Sequence, residues 1–145
     1  MKKVSICECK TYDSQEVREA ILKTAEEAGG LDWVKPGMKI AIKVNLIAAK
    51  SPESGAVTHY SMVTELARIL VERGAKVIVG DSPGGPFNTA ALKVVYSAAK
   101  LDRVTEAGAE LNYDTESVTA NFPEAAVLKQ ITYTKYAEIS SFAKN

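Results

Sequence analysis

The stretch Lys39-Ile40-Ala41-Ile42-Lys43-Val44-Asn45-Leu46-Ile47 (KIAIKVNLI) decides the fold. Its alternation puts Ile40, Ile42, Val44 and Leu46 on one face of a strand and Lys43 and Asn45 on the other. Downstream, Ala48 to Val57 is a loop of small and polar residues, with Ser51-Pro52-Glu53-Ser54-Gly55 at its centre. Thr58 is placed to cap a helix running from His59 to Arg73, with Met62, Val63, Leu66, Ile69 and Leu70 as its buried stripe. Gly74 ends that helix, and Ala75 to Gly80 (AKVIVG), apolar and β-branched at its centre, reads as another strand. Asp81 to Pro86 is a Gly/Pro-rich turn. Asn88 or Thr89 can cap the next helix, whose apolar face holds Leu92, Val95, Tyr96 and Ala99. A short helix over Asp102 to Ala107 stops at Gly108, and Ala109 to Tyr113 is a weaker strand.

Upstream of the opening stretch, Val4 to Cys9 reads as a short buried strand. Asp13-Ser14-Gln15-Glu16 has the form of a capping box. Val17, Ile21, Ala25 and Ala28 then recur at helical spacing until Gly29-Gly30. Strand and helix thus alternate, and each interval between strands has room for a crossover helix. The expected architecture is α/β: a three-layer, Rossmann-like, open and mainly parallel sheet with helices on both faces. The pattern weakens after Asp114, although residues 127–136 alternate as a strand would, and Ser140 to Asn145 carries no signal. We expect residues 1–145 to form a single α/β domain, the N-terminal part of a longer protein.

Composition narrows the function classes. The chain has 145 residues, 46% hydrophobic and 25% charged, with 18 basic residues against 18 acidic ones. Balanced charge gives no basis for nucleic acid or an anionic membrane as partner. No stretch approaches a membrane span, and the N-terminal residues lack a signal-peptide core, so a cytoplasmic location is expected. Cys7 and Cys9 lie two apart on one strand face, about 6.6 Å between Cα atoms with parallel Cβ directions, a poor disulfide geometry. They are expected to be buried structural thiols.

Ligands of open parallel sheets bind beyond the carboxyl ends of the strands. That rule selects Lys43 and Asn45, then Thr58 and His59, then Asp81-Ser82-Pro83-Gly84-Gly85. Asp81 at a strand end can hold a metal, a hydroxyl or an amine. Gly84 and Gly85 let the backbone approach a ligand, and the following helix N-terminus suits an anion. Turn chemistry explains the same residue types equally well. His59, the one histidine, stands at a helix start where the dipole disfavours imidazolium. With Asp81 it is a candidate metal ligand, or else a half-exposed residue beside a cap. Lys43 and Asn45, beside an apolar face, need a partner, water or ligand. Ser54 and Ser82 lie outside any nucleophile elbow, and no triad is visible. The turn fits neither a Walker A loop nor a dinucleotide fingerprint.

Taken in order, Lys43-Val44-Asn45-Leu46, Thr58-His59 and Gly80-Asp81-Ser82-Pro83-Gly84, with Arg73-Gly74-Ala75-Lys76-Val77 between the last two, resemble domain-of-unknown-function family 362. The match is strongest over Lys39 to Pro86. Longer members carry a four-iron cluster module and are described as iron–sulfur or ferredoxin-like proteins. The resemblance implies a domain of an iron–sulfur-linked redox protein that binds an anionic or metal-containing ligand at its strand ends. Its motif positions are Lys43, Asn45, His59, Asp81 and Ser82. The chain has no C-x-x-C-x-x-C run, so no cofactor is expected within it; a 4Fe-4S cluster would belong to a downstream ferredoxin-like module. The alternatives are a non-catalytic small-molecule-binding module or a structural one that dimerises. Whether it is an enzyme stays open.

Overall fold

The computed structural model describes residues 3–121 and 130–134. Three strands, Lys39–Lys43 (β1), Lys76–Gly80 (β2) and Glu110–Leu111 (β3), form a parallel sheet in the order β1-β2-β3. The register sets Ile40 beside Val77 and Ile42 beside Val79, so apolar residues line up on one sheet face. Helices Ser14–Ala28 (α1), Tyr60–Glu72 (α2) and Thr89–Ala98 (α3), with a 3-10 helix over Leu101–Ala107, flank the sheet. The expected open α/β architecture is therefore present. One core joins Val77 and Val79 to Val63, Ala67 and Leu70 of α2, Leu92 and Tyr96 of α3, and Leu101 and Val104.

Local chemistry explains most boundaries. Asp13 caps α1 by accepting N–H bonds from Gln15 and Glu16. The reciprocal half of the box is redirected, because Glu16 accepts from the backbone of Lys10 and the hydroxyl of Thr11. Of the expected α1 stripe only Val17 is buried. Asn88, not Thr89, caps α3 through Ala91 N–H, and all four residues of its expected stripe are buried. Gly74, at φ +84°, turns the chain from α2 into β2. A Cβ there would stand 3.0 Å from the Pro36 backbone, so the conformation and the space both demand glycine.

Several expectations are corrected. The strand from residue 39 ends at Lys43: Val44 N–H still donates to the Gly80 carbonyl, but Leu46 bridges Val57 instead of β2. His59, not Thr58, is the α2 cap. The α2 buried face is wider than expected: Val63, Ile69 and Leu70 are buried as expected, Thr64, Glu65 and Ala67 are buried as well, and Met62 is exposed. Val4 to Cys9 joins no sheet among the described residues. Val4 and Ile6 are 89% and 90% exposed, and Cys7 and Cys9 are free and half-buried. The segment instead runs beside α1 on polar contacts, Ser5 to Glu27 at one end and Lys10 to Glu16 at the other. β-branched content marks strand-forming residues, but it cannot supply a partner. The loop after β1 carries a 3-10 turn, Pro52–Ser54, capped by Ser51. Ser117–Asn121 (β4), not foreseen, pairs antiparallel with Gln130–Thr134 (β5). β5 is the part of the expected 127–136 strand within the described residues; Ser140 to Asn145 lies outside them.

Candidate functional site at the strand ends

The loops that leave β1 and β2 are tied together by one carboxylate. Asp81 is 5% exposed. Its Oδ2 accepts from the Leu46 backbone N–H at 2.6 Å, and its Oδ1 lies 3.0 Å from the Lys43 ammonium. Leu46 itself is buried, so without Asp81 its N–H would face the core unsatisfied. The Lys43 ammonium also donates to the Val44 carbonyl at 2.7 Å, yet its side chain is 64% exposed. It is thus a cation held at a fixed place with one side turned to solvent.

A second tie joins the loop after β1 to the start of α2. Asn45 and Thr58 form a reciprocal pair: Thr58 N–H donates to the Asn45 carbonyl, and Asn45 N–H donates to Thr58 Oγ1. A third tie reaches β3. The phenol of Tyr96 donates to the Asn112 carbonyl at 2.9 Å and accepts from Asp81 N–H at 3.4 Å. Burial pushes the Tyr96 phenol above its usual pKa, which keeps it a neutral donor. Beyond Asp81 the turn opens outward: Ser82, Gly84 and Gly85 are exposed, Gly85 at φ +98°. Gly84 lies against the Ile47 carbonyl, which a Cβ would meet at 3.6 Å.

Lys43, Asn45, Thr58, Asp81 and Gly84 are therefore gathered by contacts between the two loops. His59 turns elsewhere. Its Nδ1 accepts from Ser61 N–H at 3.2 Å, so that nitrogen must be unprotonated. Its ring stacks on Tyr12 at 3.5 Å between centroids and on Tyr60 at 4.6 Å. Burial holds its pKa below the usual histidine value, with Glu53 opposing and Lys100 adding to the shift. The charges acting on His59 are those two, not Asp81. No group of three or more His, Cys, Asp or Glu suited to a metal occurs among the described residues. Ser54 serves its own turn, donating to the Ser51 carbonyl.

Beside Lys43 and Thr58 lies an apolar cleft of about 240 Å³, walled by Ile21, Ile42, Val44, Met62, Val63 and Leu66. Sequence reasoning did not find it, because its walls come from three separate elements. It also missed Tyr96 and Asn112 as parts of the strand-end network. Tyr96 was legible only as a stripe residue, and its hydroxyl was the unused signal, since a buried phenol needs a partner.

With this geometry in place, the family can be stated. A family model described as Domain of unknown function (DUF362) matches residues 40–141. The chain belongs to this family. It is also 30% identical over 84 residues to a protein of Synechocystis sp. (strain ATCC 27184 / PCC 6803 / Kazusa) named as thylakoid-associated; the alignment covers 57% of this chain and 26% of that protein. The chain thus spans about a quarter of the curated relative it matches. No solved structure matches it. No helix among the described residues of this DUF362 member is long and apolar enough to cross a membrane. Its own donor set does not fit a four-iron cluster: it has two cysteines, and their thiols donate to the Glu8 and Thr11 carbonyls.

Proposed function

We propose that this DUF362 domain binds a small anionic ligand with an apolar portion at the ends of β1 and β2, as the binding domain of a larger cytoplasmic, iron–sulfur-linked redox protein. The observation that carries the reading is Lys43. Its ammonium is oriented by the buried Asp81 and remains 64% exposed, and Lys43 is also among the residues that line the neighbouring apolar cleft. Asp81 spends both oxygens inside the protein, so it acts as the counter-charge that positions Lys43. The ligand's anionic group would meet the free side of the ammonium, with Asn45, Ser82 and the Gly84-Gly85 backbone around it. Its apolar part would lie over Ile42, Met62 and Leu66. Binding, rather than turnover, is what these residues support.

The redox context is supported by the family resemblance, and a ferredoxin-like module is the partner it implies. Two measurements test the two halves separately. Titration with hexanoate, followed by amide shifts of Lys43, Asn45 and Leu66, should show binding that Lys43→Ala weakens about tenfold, the worth of one charge-assisted contact of ~1.4 kcal/mol. Equal binding by hexanol would overturn the anionic part. The redox half fails if the gene's reading frame encodes no cluster-binding cysteines.

A further inference from the structure

A second cleft, of about 370 Å³, lies away from the strand ends, between the start of α1, the face of α2 and the 3-10 helix over Leu101–Ala107. It stands at the small end of the range that binds small molecules, roughly 300–1,000 Å³. Its walls are polar in a particular way. Glu65, 3% exposed, accepts from Ser14 Oγ at 2.7 Å and from Arg68 Nε at 3.3 Å. Arg103 engages Glu106 at 2.8 Å through one amino nitrogen. Each guanidinium keeps further N–H groups beyond these bonds. Thr64, 7% exposed, also lines the cleft, and its Oγ1 is buried and has no hydrogen-bond partner.

A buried hydroxyl without a partner costs about 1–3 kcal/mol, so its persistence beside a cleft points to an absent partner. The mixed charges of the lining restrict what that partner can be. A simple anion would meet Arg68 and Arg103 but also Asp13, Glu65 and Glu106. A simple cation would suffer the reverse. A ligand carrying both charges on neighbouring carbons can set its carboxylate against a guanidinium and its ammonium against a carboxylate, leaving Thr64 a hydrogen bond to either group. We infer that this cleft is a binding site for a small zwitterion of the α-amino-acid type, with Thr64, Glu65, Arg68 and Arg103 as its recognition residues. This site is independent of the one proposed at Lys43.

The test is titration of the full chain with L-alanine, which carries the two charges and almost nothing else, followed by backbone amide shifts. Propionate, propylamine and the dipeptide Ala-Ala serve as comparisons. We expect saturable shifts at Ser14, Ser61, Thr64 and Glu65 with L-alanine, and at least tenfold weaker binding of the three others. Thr64→Val keeps the side-chain volume and should weaken L-alanine binding about fivefold, the loss of one hydrogen bond of ~1 kcal/mol. Arg103→Gln, on a recognition residue whose side chain is 56% exposed, supplies a second variant should Thr64→Val fold poorly; it should weaken binding about tenfold. The inference is overturned if L-alanine shifts none of these amides, if either single-charge compound or the dipeptide binds equally well, or if the folded variants bind as the parent does.

Discussion

Replacing Asp81 by alanine removes two partners at once, and the structure separates their worth. The Leu46 N–H, 2.6 Å from Asp81 Oδ2, is left inside the core without an acceptor. A hydrogen bond to a charged group contributes about 1.5–3 kcal/mol, and an orphaned buried donor costs a similar amount, so the larger part of the loss comes from this contact. The Lys43 pair adds little, because the lysine is 64% exposed and such pairs contribute roughly 0–1 kcal/mol. Asp81→Ala should therefore cost about 3 kcal/mol in all. Asp81→Asn keeps an amide oxygen for Leu46 and loses only the ionic part, about 1 kcal/mol. Urea unfolding monitored by circular dichroism should show the midpoint falling for both variants in that order, with unchanged slope. In melting experiments the alanine variant should lose about 6–12 °C, the asparagine variant about a third of that. If the two variants unfold at the same urea concentration, the carboxylate is not holding the Leu46 N–H and the strand-end clamp is misassigned.

Other outcomes follow from the same contacts. His59 should titrate below its unfolded value near 6.5, because burial favours the neutral ring. Stability is then fully present above pH 6.5 and declines as pH falls through the lower folded pKa, a dependence that His59→Asn should flatten; proton NMR and melts at pH 7.5 and pH 5 read both. Glu65→Ala should destabilise by roughly 1–3 kcal/mol in urea titrations, since it removes the acceptor of Ser14 and Arg68 while both arginines keep access to water, and an unchanged midpoint would refute the buried cluster. Gly74→Ala should cost about 1–3 kcal/mol through its positive φ and the close Pro36 backbone, visible as a lowered melting temperature. Offered iron and sulfide anaerobically, the isolated chain should form no four-iron cluster by visible absorbance or electron paramagnetic resonance.

The alternating strands and helices were legible because each carries its own periodicity. Ile40, Ile42, Val77 and Val79 announce the sheet, and Leu92, Val95, Tyr96 and Ala99 announce α3. What local pattern could not show was partnership. Val4 and Ile6 have strand character yet join no sheet among the described residues, and Glu65, outside the expected α2 stripe, is nonetheless buried. The acid at that place was a signal in itself, since a carboxylate among buried residues requires cations nearby. The strand-end residues Lys43, Asn45, Thr58 and Asp81 were found because topology predicts where they gather, while Tyr96 and Asn112 arrive from distant elements. His59, grouped with Asp81 by strand-end logic, was drawn to Tyr12 and Tyr60 by stacking.

The Tyr96 phenol gives the strand-end network a direction. Its proton goes to Asn112 over 2.9 Å, while Asp81 N–H reaches its oxygen over a longer 3.4 Å. One helix side chain therefore joins the residues that follow β2 and β3, so the two strand ends are fixed relative to each other through α3 as well as through their own ladder.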